Sequence, residues 1–128
     1  VTVQPRIADP AQGRAAGRAQ RVAAVDCGTN SLRLLIADAD PGTGQLTDLD
    51  RRMEIVRLGQ GVDATGRLAA EALERTFRVL SGYARAIRDS GAAVRMVATS
   101  ATRDAANAAE FVRGVTEILG DAADELCR

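Results

Sequence analysis

The chain contains no histidine and no lysine, so each of its 17 basic side chains is an arginine. Without imidazole there is no Ser-His-Asp or Cys-His nucleophile system and no histidine metal site. Without lysine there is no Walker-type phosphate lysine and no Schiff base. Tryptophan is absent and aromatics make up 2% of the residues, which leaves the core to Leu, Val, Ile and abundant Ala. Such small side chains bury little area each, so a thin core is expected. Neither charge is in excess: 17 acidic residues balance the 17 basic ones. That leaves no basic surplus to drive counterion release from a nucleic-acid polymer. No uncharged apolar run approaches the ~20 residues a membrane helix requires, and the N-terminal stretch has no apolar core like that of a secretory signal. Cys27 and Cys127 lack metal-ligand spacing and suggest no oxidising compartment, so a cytoplasmic location is expected. The chemistry left to the chain runs on carboxylates, hydroxyls, backbone amides, arginine and a bound hard cation.

The 128 residues suit one domain or one lobe of a larger protein. Residues 1–20 carry Pro5, Pro10, two glycines and scattered arginine without apolar periodicity, and are expected to be a disordered tail. Residues 22–26 form a short apolar run ending in Asp26, and residues 32–37 form a second. Between them stands the turn-rich Cys27-Gly28-Thr29-Asn30-Ser31, so the pair reads as a β-hairpin. A third strand is expected within residues 46–58, with Met53 and Ile55 alternating. Gly59, Gly61 and Gly66 then mark a loop that reads as a flexible connector. From residue 69 to 90 the period changes: Leu73, Phe77, Leu80, Ala84 and Ile87 make the stripe of an amphipathic helix that Gly91 ends. Residues 94–98 read as a fourth strand. A second helix is expected from about Arg103 to Leu119, with Ala108, Phe111, Val115 and Ile118 on its apolar side. The order is βββαβα, a mixed sheet with helices on it, over residues 21–120, followed by a divergent end at 121–128.

Two segments carry chemistry. In Asp26-Cys27-Gly28-Thr29-Asn30-Ser31-Leu32-Arg33, an acid at a strand end precedes a tight turn rich in N–H, hydroxyl and amide donors. Such a turn suits phosphate oxygens, with Asp26 holding a cation or a bridging water. Taken alone, it more readily suits an ordinary hairpin whose Asp and Asn satisfy their own backbone. Arg33 lies among Leu32, Leu34, Leu35 and Ile36, where a guanidinium needs a partner, either Asp26 or a bound anion. The second segment, residues 97–107, passes from strand to helix through Thr99-Ser100-Ala101-Thr102. Arg103 in the first turn of that helix opposes the helix dipole unless an anion is shared there, an anion that Asp104 could also supply. Arg51 and Arg52 read as a solvated strand end, and Tyr83 as helix packing.

Together these residues resemble a known family. Val25 to Leu34, then Arg57-Leu58-Gly59-Gln60-Gly61-Val62 with Gly66-Arg67-Leu68, then Val97 to Asn107 with Phe111 are similar to the exopolyphosphatase and guanosine pentaphosphate phosphohydrolase (Ppx/GppA) family, in order and spacing. The resemblance implies a partial first lobe of the actin, sugar-kinase and heat-shock-chaperone ATPase fold, which is ribonuclease H-like. It implies release of terminal phosphate from inorganic polyphosphate or guanosine pentaphosphate, usually with Mg²⁺. By motif, Gly28, Thr29, Asn30 and Ser31 form the first phosphate-binding hairpin and Asp26 helps place the metal. Arg103 with Ser100 corresponds to the phosphate-contacting arginine segment, and Arg33 matches a position that is often basic or polar. The glutamate segment that activates water in the family has no match here. Glu125 lies in unmatched surroundings, so no catalytic residue is assigned. The expectation is an N-terminal fragment, inactive alone, with an exposed sheet edge and apolar surface; a homodimer of the full-length protein stays open. Two alternatives also stand: a polyphosphate- or alarmone-binding module without turnover, and a relative of the sugar or acetate kinases.

Overall fold

The computed structural model describes residues 19–120. Of the tail expected at residues 1–20, residues 1–18 lie outside them and Gln20 already belongs to the first strand; the end at 121–128, with Glu125 and Cys127, also lies outside. Four strands, β1 (Gln20–Cys27), β2 (Ser31–Ala39), β3 (Leu46–Ile55) and β4 (Ala93–Ala98), form one sheet in the order β3-β2-β1-β4. β1, β2 and β3 pair antiparallel in hairpin succession, while β4 returns parallel to β1. A parallel return requires a crossover, which is supplied by the short α1 (Val62–Thr65) and the long α2 (Ala70–Ser90). The expected three-strand, helix, strand, helix order is present.

Alternation decides which face each strand residue takes. Ala23, Val25 and Cys27 of β1, Leu32, Leu34 and Ile36 of β2, and Met96 of β4 are buried on one face. Against it lies α2 with Leu73, Leu80, Tyr83 and Ile87, and beside α2 lies α4 (Ala108–Leu119) with Phe111 and Val115. Each large side chain fully buried there contributes about 1.5–3 kcal/mol. Tyr83 also places its hydroxyl on the Leu32 carbonyl at 2.9 Å, joining helix to sheet. The two helices touch closely because residue 114 is glycine, where a Cβ would collide with the Phe77 ring. Phe77 stacks on Phe111 there, with ring centroids 6.3 Å apart.

Two expectations are corrected. The alternation of Met53 and Ile55 is real, but the register sets Met53 beside Arg33 and Ile55 beside Ser31, on the sheet face away from α2. They are 55% and 58% exposed, and β3 as an edge strand gives the core nothing. The helix expected from Arg103 to Leu119 is two helices, α3 (Ser100–Asp104) and α4, because Ala105 is extended (φ −67°, ψ 142°). A buried side chain holds that break. Asn107 accepts from the Leu68 amide at 2.8 Å and donates to the Leu68 carbonyl at 2.9 Å, and Ala106 donates to Gly66 at 2.8 Å. Tertiary bonds there override helix propensity.

Candidate functional site

The parallel pairing of β1 and β4 brings their C-terminal ends together. Cys27 is in register with Ala98, and the Thr99 amide donates to the Cys27 carbonyl at 2.9 Å. The hydroxyl-rich turns at 28–31 and 99–100 therefore leave the sheet at one corner. Open α/β sheets bind ligands outside the carboxyl ends of their strands, which is where this corner lies.

The first turn is closed by the Gly28 amide donating to the Ser31 carbonyl at 2.9 Å. Its tip carbonyls are both taken from behind. Asn30 accepts from the amides of Val56 (2.8 Å) and Arg57 (2.9 Å), and Thr29 accepts from Gly59 (2.9 Å). The amides of Thr29 and Asn30 donate to no group among the described residues, and both residues are exposed. With carbonyls tied back and amides free, the tip has the polarity an anion requires.

The segment that ties it back is not the connector expected from its glycines. Val56 and Leu58 are fully buried, and a Cβ at Gly59 would collide with Cγ2 of Thr29, so glycine lets this segment pack directly against the Thr29 side chain. Arg57 holds a left-handed φ of 51°, a costly value for a non-glycine residue that its bond to Asn30 helps maintain. From α2, Arg75 reaches in with Nε 3.1 Å from the Val56 carbonyl and Nη2 2.7 Å from Oε1 of Gln60. Gly59, Arg75 and Asn107 thus organise the corner without having been singled out as site residues. The signal available for Gly59 was its fixed place in the matching block; for Arg75 there was none.

Asp26 and Arg33 face each other across β1 and β2, next to the turn, but both are exposed and neither enters an ion pair among the described residues. The premise that Arg33 is enclosed by apolar neighbours is corrected: Leu32 and Leu34 point into the core and Arg33 points away from it. Its charge stays solvated and available. In the second turn, Ser100 opens α3 and is exposed, while Thr102 is buried with Oγ1 on the Thr99 carbonyl at 2.6 Å. Arg103 falls in the last turn of α3 rather than the first, where a cation complements the helix dipole. Arg103 therefore needs no ligand to offset the dipole. Its Nε lies 3.5 Å from Oδ1 of Asp104, both side chains being exposed, a pairing weak enough for an anion to displace. Arg51 and Arg52 are engaged locally, with Asp48 at 2.7 Å and Asp50 at 2.8 Å.

No cluster of three or more His, Cys, Asp or Glu suited to a metal occurs among the described residues. A Mg²⁺ ion does not require one, since it is commonly held by one or two carboxylates together with water and substrate phosphate. The single exposed carboxylate of Asp26 beside an anion-facing turn fits that mode. No helix among the described residues is long and apolar enough to cross a membrane.

Comparison with known proteins agrees with this geometry. Residues 35–125 match the model of the Ppx/GppA phosphatase family. Exopolyphosphatase 2 of Mycobacterium tuberculosis is 55% identical over 105 residues, which is 80% of this chain and 33% of that protein. Among solved structures, the Ppx/GppA family member of Aquifex aeolicus superposes with a TM-score of 0.73 at 39% identity, over 80% of this chain and 33% of its own. An exopolyphosphatase-like protein gives 0.75 at 44% identity, over 80% and 31%. The chain thus spans about a third of the length of the relatives it matches. The βββαβα sheet, the paired turns and these matches agree, and the chain belongs to the Ppx/GppA phosphatase family.

Proposed function

We propose that the protein to which this chain corresponds hydrolyses the terminal phosphoanhydride of inorganic polyphosphate, and that the residues described here form the phosphate-gripping half of its cleft. The observation that carries the reading is the corner itself, where an anion-facing turn at 28–31 stands beside the Thr99–Ser100 turn at the ends of two paired parallel strands. The name of the 55% identical relative supports polyphosphate as the substrate class.

In this reading the free amides of Thr29 and Asn30 and the hydroxyls of Thr29, Ser31 and Ser100 bind the phosphoryl oxygens, with Gly28 closing the turn. Arg33 and Arg103 supply positive charge, Arg103 exchanging its weak bond to Asp104 for the phosphate. Asp26 would hold Mg²⁺, which supplies neutralisation of phosphate charge when bound. A cytoplasmic setting accompanies the reading. Guanosine pentaphosphate ends in the same phosphoanhydride and fits the same grip, so competition between the two separates them. Residues 1–128, which span about a third of the relatives' length, are proposed to bind without turnover.

The test is isothermal calorimetry with tripolyphosphate and Mg²⁺, run beside an assay for released phosphate. Binding that Arg103→Ala weakens by about tenfold, with no phosphate release, is the expected result. Absence of binding overturns the grip, and release by this chain above the Arg103→Ala control overturns the division of labour. ATP-dependent phosphorylation of a small substrate would favour a kinase relative instead.

A further inference from the structure

We infer that Arg75 of α2, whose guanidinium bonds to the segment behind the 28–31 turn, is a positioning residue for that turn; this deepens the phosphate reading above and rests on it for the ligand. The inference follows from an unbroken chain of bonds. The Arg75 guanidinium donates to the Val56 carbonyl at 3.1 Å and to Oε1 of the Gln60 side chain at 2.7 Å, so it holds the backbone at the start of residues 56–60 and the side chain at their end. From that fixed segment the amides of Val56 and Arg57 hold the Asn30 carbonyl at 2.8 and 2.9 Å, and the Gly59 amide holds the Thr29 carbonyl at 2.9 Å. The Thr29 carbonyl shares its peptide plane with the Asn30 amide, and the Asn30 carbonyl shares its plane with the Ser31 amide. Holding the first therefore sets the direction of the free Asn30 amide, and holding the second fixes the peptide that leads from the tip into β2.

Arginine is suited to this task because its planar fork serves two acceptors at once from a rigid helix, which a lysine ammonium on a flexible stem does less well. The helix supplies the rigidity, since Thr76, next to Arg75 in sequence, is fully buried in the helix-sheet interface. Arg57, held at φ 51°, is the second sign that the segment is kept in a conformation it would not choose alone. If the brace is removed, residue 57 is free to relax, and the two carbonyls lose their fixed donors.

The experiment compares the chain with its Arg75→Ala and Arg75→Lys variants, well below their melting temperatures, by amide hydrogen exchange and by tripolyphosphate binding. The expected result for Arg75→Ala is exchange about tenfold faster at Val56, Arg57 and Gly59 than the global loss of stability explains, and affinity lower by about tenfold. Arg75→Lys recovers part of both. Exchange at those three amides that merely follows global stability overturns the inference, as does undiminished affinity in Arg75→Ala. Should the unaltered chain bind no tripolyphosphate while the three amides still respond to Arg75, the brace is upheld and the phosphate reading alone falls. Gly59→Ala supplies an independent check, because it disturbs the same contact from the side of Thr29 and should reproduce the loss of affinity with Arg75 intact.

Discussion

At the scale of single residues, the roles of Asn107 and Tyr83 are the most sharply testable. Asn107 imitates a strand by satisfying both backbone groups of Leu68, and the pair is buried. Asn107→Ala leaves a donor and an acceptor without partners, at about 1–3 kcal/mol each. Chemical denaturation should show a loss of about 2–6 kcal/mol, far more than an alanine at the exposed Glu110. Tyr83 has its phenol pushed above its ordinary value, first by burial and then by the nearby charge of Glu54, with Arg52 opposing. The neutral phenol is therefore favoured in the folded state, so its contribution is complete below the unfolded value of 10.0 and is lost as pH rises through the higher folded value. Denaturation midpoints should fall across that alkaline window, and Tyr83→Phe should flatten the fall at a cost near neutrality of about 0.5–1.5 kcal/mol. Tyr83 was legible in the sequence as helix packing. Its bond to Leu32 was not, because a partner 51 residues away leaves no local pattern.

At the scale of elements, the periodic segments were read correctly wherever a hydrophobic pattern met a covering surface. β1, β2, β4 and α2 fall within a residue or two of their expected limits for that reason. β3 shows where pattern alone fails: alternation reveals that a strand has two faces but not which one the helices cover. Its exposed Leu46, Leu49, Met53 and Ile55 lie on a strand that is an unpaired edge among the described residues, a template for association between chains. Replacing Ile55 with Lys should leave the melting temperature nearly unchanged while raising the concentration at which light scattering first appears. The α2–α4 contact gives a case in which two general effects oppose each other. Within α4, Gly114→Ala should gain about 1 kcal/mol from helix propensity. The new Cβ meets the Phe77 ring, and overpacking of that kind costs about 1–3 kcal/mol. Packing should win, so the variant is expected to melt at lower temperature, whereas Gly82→Ala on the open side of α2, where nothing lies near, should melt at higher temperature.

At the scale of the whole molecule, the account rests on convergence. Segments far apart in sequence meet at one corner: the parallel pairing of β4 with β1 brings 26–33 beside 99–103, and 56–60 joins through its bonds to Thr29 and Asn30. The first two were legible as donor-rich turns that follow apolar strands. The third was misread because glycines that permit close approach look, in one dimension, like glycines that permit motion. Arg103 remains the least constrained of the site side chains, exposed and weakly held by Asp104. The most direct measurement is a titration of the isotope-labelled chain with tripolyphosphate and Mg²⁺, followed by amide chemical shifts. The account predicts that Thr29, Asn30 and Ser100 move together along one saturating curve, and that Arg103→Ala shifts this curve to higher ligand concentration for all three. Movement at only one of the turns, or at Arg51 and Arg52 with both turns still, would show that the corner is not a phosphate site.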